Sequence, residues 1–218
     1  MHGMPTYFTL PLILILAGCL GGGDGDRSSL ASSGASGDRA ALQSEVKSRT
    51  TQGRSLHAAR QLDAEGYDDW LARVETAMAA ARPEAAALTG TATYDGRAMG
   101  GYTDAAGDIA YRSGITLDAD FTNGRLTGRM NDFAVYDSAH AEKQELAGEL
   151  TINGTISADR MSARVDGTLG EGTDLKTTAT GSLEGAFTDP AARYAVGTVD
   201  LDTGDGDKFE GVFRASKR

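Results

Sequence analysis

From about residue 88 to its end, the chain alternates apolar and polar residues with a period of two. Ile115, Leu117, Ala119 and Phe121 alternate with Thr116, Asp118 and Asp120, and Met161, Ala163, Val165, Gly167 and Leu169 alternate with Ser162, Arg164, Asp166 and Thr168. Successive side chains of a strand point to opposite faces, so this rhythm predicts strands with one buried and one wet face. The spans 88–99, 115–121, 126–130, 146–152, 161–169, 175–187, 194–201 and 208–215 give eight of them, joined by short turns. Half-buried strands on short connections form an antiparallel meander, whereas parallel sheets need long crossovers and continuous apolar runs. Eight such strands must stack as two layers or close on themselves. Closure removes the edges that recruit other chains, and eight strands enclose a space that side chains can just fill. The expected fold is therefore mainly β, an eight-stranded antiparallel up-and-down barrel over residues 88–218.

Two finer features fit closure. Asn123-Gly124 is a favoured two-residue hairpin turn, since both types tolerate positive φ. An apolar-x-Gly unit recurs at Leu126-Thr127-Gly128, Leu146-Ala147-Gly148, Val165-Asp166-Gly167, Leu183-Glu184-Gly185 and Phe209-Glu210-Gly211. Its phase puts each glycine on the inward face, where it permits the tight coiling a small barrel demands.

Ahead of the strands, residues 38–83 are rich in helix formers and read as a short helical neck. Asp38 is an N-cap candidate for a first helix, Ser55 starts a second, and Asp68 or Asp69 caps a third that ends near Arg82-Pro83. Trp70, Val74, Met78 and Ala81 fall on one stripe of that third helix, which reads first as a packing face and second as a docking face for a partner. Residues 19–37 are mostly Gly, Ser, Asp and Ala, too poor in apolar side chains to build a core. They read as a disordered tether, of which residues 21–37 would span about 20 to 25 Å as a coil.

Residues 1–18 read as a signal peptide. The apolar run from Tyr7 to Leu16 covers about half of the ~20 residues a membrane-crossing helix needs, and residues 1–6 carry His2 but no Lys or Arg. Leu16-Ala17-Gly18-Cys19 resembles the lipobox of bacterial lipoproteins, which implies that Cys19 takes a diacylglyceryl thioether and becomes the new N-terminus. Several acyl chains, palmitate among them, would then hold the protein to a membrane more firmly than one chain could. Leu20, where an Asp would favour the inner membrane, resembles the outer-membrane class. The face of that membrane on which the domain sits is left open.

The chemistry that can be excluded is broad. Cys19 is the single cysteine, so disulfide scaffolds and multi-cysteine metal sites are out. With 21 Lys+Arg against 31 Asp+Glu the net charge is -10, which repels phosphate backbones and argues against nucleic acid. His140-Ala141-Glu142 has the H-x-E spacing of zinc deaminases but lacks their paired cysteines. No Gly-x-Ser-x-Gly elbow, Walker loop or H-E-x-x-H is present. Asp200, Asp202, Asp205, Asp207 and Glu210 do not match an EF-hand and read as a solvated acidic hairpin. No catalytic residue, metal site or cofactor is expected, and the chain does not read as an enzyme.

The segments Gly181-Ser182-Leu183-Glu184-Gly185-Ala186-Phe187, Asp189-Pro190-Ala191, Ala195-Val196-Gly197-Thr198-Val199 and Phe209-Glu210-Gly211-Val212-Phe213-Arg214-Ala215, with Gly90-Thr91-Ala92-Thr93-Tyr94-Asp95-Gly96 opening the barrel, carry a resemblance. Over residues 88–218 the chain resembles the C-terminal eight-stranded barrel of transferrin-binding protein B and factor H-binding protein, Gram-negative surface lipoproteins. Unlike the two-lobed transferrin-binding protein B, it has one barrel and a short neck, and no motif for host contact matches any position here. The resemblance implies an outer-membrane-anchored lipoprotein whose barrel is a binding module, with a host, haem- or metal-carrying protein as the partner class. Two alternatives stay open: a carrier of a small apolar ligand in the barrel lumen, and a structural envelope lipoprotein. Binding residues favour loops on rigid scaffolds. The longest connections are 95–110 and 134–144, which makes Tyr136 and His140 candidates for partner contact, with Tyr67 and Trp70 on the neck.

Overall fold

The computed structural model describes residues 27–62, 66–103, 107–170 and 176–218, with side chains from Arg39 onward. The signal peptide, the lipobox residues and Cys19 lie outside the described residues. Three helices, α1 (Arg27–Ser55), α2 (His57–Leu62) and α3 (Tyr67–Ala79), precede a short 3-10 turn at Ala85–Ala87. Nine strands follow: β1 (Thr91–Thr103), β2 (Asp108–Asp120), β3 (Arg125–Asp137), β4 (Glu142–Leu146), β5 (Gly148–Ser157), β6 (Arg160–Leu169), β7 (Thr177–Thr188), β8 (Tyr194–Thr203) and β9 (Lys208–Lys217). Among the described residues no helix is long and apolar enough to cross a membrane.

Nine strands make eight staves. β4 and β5 pair with successive halves of β3, parted at Ala147, and Gly148, which opens β5, has a φ of 121° that suits glycine. Every sequential stave pairs antiparallel, and β1 then pairs with β9 from Tyr94↔Lys217 to Gly101↔Glu210. The ribbon is closed, as the two-residue rhythm predicts.

Several boundaries differ from the sequence reading. The connection assigned to 95–110 is largely strand: β1 runs on to Thr103 and β2 begins at Asp108. Likewise 134–144 holds the end of β3, a turn at 138–141 and the start of β4. The turn after β2 is not a two-residue hairpin, since Asp120 pairs with Arg125 across residues 121–124 and only Gly124 has positive φ, at 63°. Asp120 sets this longer turn by accepting hydrogen bonds from the backbone N–H and side-chain amide of Asn123, at 3.0 and 2.7 Å.

The barrel interior is one apolar core. Leu117, Leu126, Met130, Leu150, Leu183 and Phe213 are among its fully buried members. The glycines of the repeated unit do face inward. Phe213 lies over Gly197, its cross-strand neighbour, and reaches toward Gly185 one strand further on. Tyr111 does the same over Gly100, with its hydroxyl 2.6 Å from the position a Cβ on Gly211 would take. The large rings thus occupy the space that the glycines leave on the curved wall.

The helices lie along the outside of the wall. Leu42 and Val46 of α1, Leu62 of α2, and Trp70, Val74 and Met78 of α3 form a second core. It is completed by outward-facing Met99, Ala110, Ala134, Ala186, Val196 and Val212 of the barrel. The stripe on α3 is therefore a packing face, as its spacing suggests, apart from Ala81, which lies beyond the helix and is exposed. Neither Asp68 nor Asp69 caps α3: Gly66 holds that position, no side chain caps it, and the two acids sit in the first turn. Asp38 lies inside α1, which already starts at Arg27 within the stretch assigned to the tether.

Polar clamps fix this layer. Arg39 donates to Asp159 at 2.5 Å and to the Ala80 carbonyl at 3.0 Å, with both charged side chains buried. Arg49 grips Asp200 through its two terminal guanidinium nitrogens, and Arg54 holds Glu75 at 2.8 and 3.0 Å.

Candidate functional site at the open end of the barrel

The two ends of the barrel differ. At the end where β1 begins and β9 finishes, Tyr94, Phe121 and Phe187 form an aromatic plug, with ring centroids 5.2 Å apart for Tyr94–Phe187 and 4.8 Å for Phe121–Phe187. The Tyr94 hydroxyl donates to the Ala192 carbonyl at 2.8 Å, so the buried phenol is satisfied and the plug is tied to the β7–β8 connection.

The opposite end holds a cavity of about 290 Å³. Its floor is Tyr111, Phe133, Leu169, Ala179, Leu201 and Phe209, and its rim carries Asp137, Glu142, Asp205 and Asp207. Inward positions near the strand ends supply these residues: Phe133 and Asp137 from β3, Leu201 from β8 and Phe209 from β9. Phe209 joins two tyrosines edge-on, with centroids 5.4 Å from both Tyr102 and Tyr111. Burial pushes the Tyr111 hydroxyl well above the ordinary tyrosine value, and that oxygen has no hydrogen-bond partner among the described residues.

The rim is electrostatically one-sided. All four charged residues lining the cavity are carboxylates. Tyr102 donates its phenol proton to Asp207 at 2.8 Å. The His140 ring lies 2.6 Å from Asp137; this hydrogen bond holds the Asp137 carboxyl below its usual range and raises the imidazole above its own. Lys143 and Lys208 are held by Glu145 and Asp202, at 3.0 and 3.6 Å.

The four candidate contact residues separate. His140 is exposed on the turn between β3 and β4, beside the rim. Tyr136 is half-buried on the outer face of β3 against the helical layer. Tyr67 and Trp70, stacked at 6.5 Å, are 3% and 5% exposed, so they face the barrel wall and not a partner. Their rings complete the second core between the helices and the wall, which leaves them little surface for contact with another molecule. The five acids of the last hairpin also separate: Asp200 binds Arg49, Asp202 binds Lys208, and Asp207 accepts from Tyr102. No group of three metal-binding side chains forms among the described residues. Sequence reasoning missed the floor. The available signal was the alternation running on through Ile109 and Tyr111, and through Phe133, Val135 and Asp137, into segments assigned to connections.

The direction of α1 relates this end to the start of the chain. Arg39 sits by Asp159 in the β5–β6 turn at the plugged end, while the backbone N–H of His57, just past α1, donates to Asp108 at the open end, at 2.8 Å. α1 therefore runs along the wall from the plugged end toward the open end.

No protein-family model and no curated protein matches this chain. Solved structures similar to it include transferrin binding protein B from Haemophilus parasuis, at 15% identity and a TM-score of 0.41, covering 62% of this chain and 28% of that one. Transferrin binding protein B from serogroup B Neisseria meningitidis is 17% identical, with a TM-score of 0.41 and coverage of 63% and 27%. The protein of that name from Actinobacillus pleuropneumoniae is 15% identical, with a TM-score of 0.35 and coverage of 59% and 61%. The chain thus spans little more than a quarter of the length of the first two, and the similarity is one of chain course at low sequence identity.

Proposed function

We propose that the chain is a non-enzymatic binding barrel, held to the outer membrane through a lipid on Cys19, with its open end as the binding face. The observation that carries this reading is the polarity of the barrel. The end of α1 nearer the start of the chain lies toward the plugged end, and the apolar concavity rimmed by four carboxylates lies at the other. An anchor on that side would leave the open end pointing away from the lipid. A host, haem- or metal-carrying protein would meet the hairpin tips at this end, His140 among them; a small ligand would enter the lumen there.

Metabolic labelling with an alkyne fatty acid, followed by membrane fractionation, tests the anchor. The expected result is label in the outer-membrane fraction for the native chain and none for Cys19→Ala. Label persisting in Cys19→Ala, or a native chain that never takes label, overturns it. The binding face is tested by retention on immobilised haem- and metal-carrying proteins of known identity. Retention that a Glu142→Lys, Asp205→Lys variant abolishes supports a protein partner at this end. Retention unchanged in that variant overturns the placement.

A further inference from the structure

We infer that the open-end cavity is a site for a small hydrophobic amine, its apolar body in the lumen and its protonated nitrogen at the carboxylate rim. The inference rests on the reading of the open end as the binding face and names the ligand class that this face admits. Size comes first. At about 290 Å³ the cavity falls just below the usual ligand-pocket range of roughly 300 to 1,000 Å³, which limits the occupant to a single ring or a short chain. The floor supplies apolar surface, and the small Ala179, fully buried, leaves the space open on the β7 side.

Charge then decides the head group. Asp137, Glu142, Asp205 and Asp207 line the rim without a single Lys or Arg among the lining residues. Two of them have partners already, Asp137 with His140 and Asp207 with Tyr102. Neither Glu142 nor Asp205 pairs with a Lys or Arg among the described residues; Lys143 and Lys208 are held by Glu145 and Asp202, and Glu142 adds to the field at His140. A fatty carboxylate would bring a fifth negative charge to this ring and be repelled, while an ammonium would be drawn by the summed field of the carboxylates at the mouth of the apolar lumen. Apolar burial and charge complementarity thus select the same molecule from two sides.

The test uses the full lipidated chain in nanodiscs, with empty nanodiscs as the blank. Three probes share one apolar body: 2-phenylethylamine, 3-phenylpropionate and 2-phenylethanol, titrated by calorimetry at low and high salt. The expected result is binding of the amine with a Kd about tenfold or more below that of the carboxylate, a gap that closes at high salt. Glu142→Gln with Asp205→Asn, both exposed, should bring the amine to the affinity of the alcohol without loss of fold by circular dichroism. Ala179→Phe should abolish binding of all three. Because that variant fills a core position, the rim variant carries the test if it fails to fold. Equal affinity for the three probes in the native chain overturns the cationic class while leaving the binding face standing. Binding of none of them overturns the cavity as a site for this class, and leaves the lipid-anchor experiment unaffected.

Discussion

A Cβ added to Gly185 would stand 2.8 Å from Cζ of Phe213, although the two residues are on strands that do not pair. Phe213 reaches across Gly197 of the intervening strand to fill the space in front of Gly185. At Gly185 the inward glycine of the repeated unit thus seats an aromatic ring. Gly185→Ala is expected to cost about 1 to 3 kcal/mol by overpacking. Phe213→Ala, at a fully buried site, is expected to cost about 3 to 5 kcal/mol by leaving a cavity. In urea denaturation the combination of Gly185→Ala with Phe213→Leu should cost less than the sum of its parts, since the shorter side chain relieves the clash. Strict additivity would show that the two sites do not share this space.

Trp70 is the single tryptophan of the chain, and it is 5% exposed beneath α3. Its fluorescence should be blue-shifted and poorly quenched by acrylamide, and should shift red as the helical layer leaves the wall. Trp70→Ala is expected to lower stability by about 3 to 5 kcal/mol in chemical denaturation. A native emission maximum at the wavelength of free tryptophan would mean that the helices do not rest on the barrel.

Removing one partner of a buried ion pair strands the other charge. Asp159→Ala leaves the Arg39 guanidinium buried with only the Ala80 carbonyl, and is expected to cost about 3 to 5 kcal/mol by thermal or urea unfolding. Arg82, 3.8 Å from Asp159 and far more exposed, can turn to water and does not add to this loss. The double variant Arg39→Met, Asp159→Ala removes both charges and should be closer to the native stability than Asp159→Ala alone. The opposite order would refute the stranded-charge account.

Burial pushes the Tyr67 phenol up to about 12 from an ordinary value of 10.0. The neutral form is favoured in the folded chain, so its contribution is complete below about pH 10, where the unfolded phenol begins to ionise. Between about pH 10 and 12 the unfolded state binds fewer protons than the folded one, and stability falls as pH rises. Tyrosinate absorbance near 295 nm should therefore include a late component that merges with alkaline unfolding, and Tyr67→Phe should remove part of that pH dependence. A fully native-like titration of every tyrosine near pH 10 would contradict the burial of this ring.

The barrel was legible where one wall faces water. In β2, β5 and β6 the outward residues are Thr116, Asp118, Thr151, Asn153, Ser162 and Arg164, so the period of two stands out. It fades in the second half of β1, where Ala98 and Gly100 face the lumen while Met99 and Gly101 lie under the helices. With both faces covered by small or apolar residues, the segment reads as a connection. The packing role of Trp70 was visible as a helical stripe, because that pattern lies within one element. The cavity was not, since it is a space left between Phe133, Ala179 and Phe209, three side chains on three strands. Only the cross-strand register brings those together.

The seam between β1 and β9 has a consequence for the order in which the fold can form. Synthesis delivers β1 long before its partner, so the ring cannot be completed until residues 208–217 have been made. The helical layer must wait as well, because much of the wall that receives it, including Val196 and Val212, belongs to the last two strands. Such late, long-range pairing is slow to form, so closure of the ring and docking of the helices are late, coupled events.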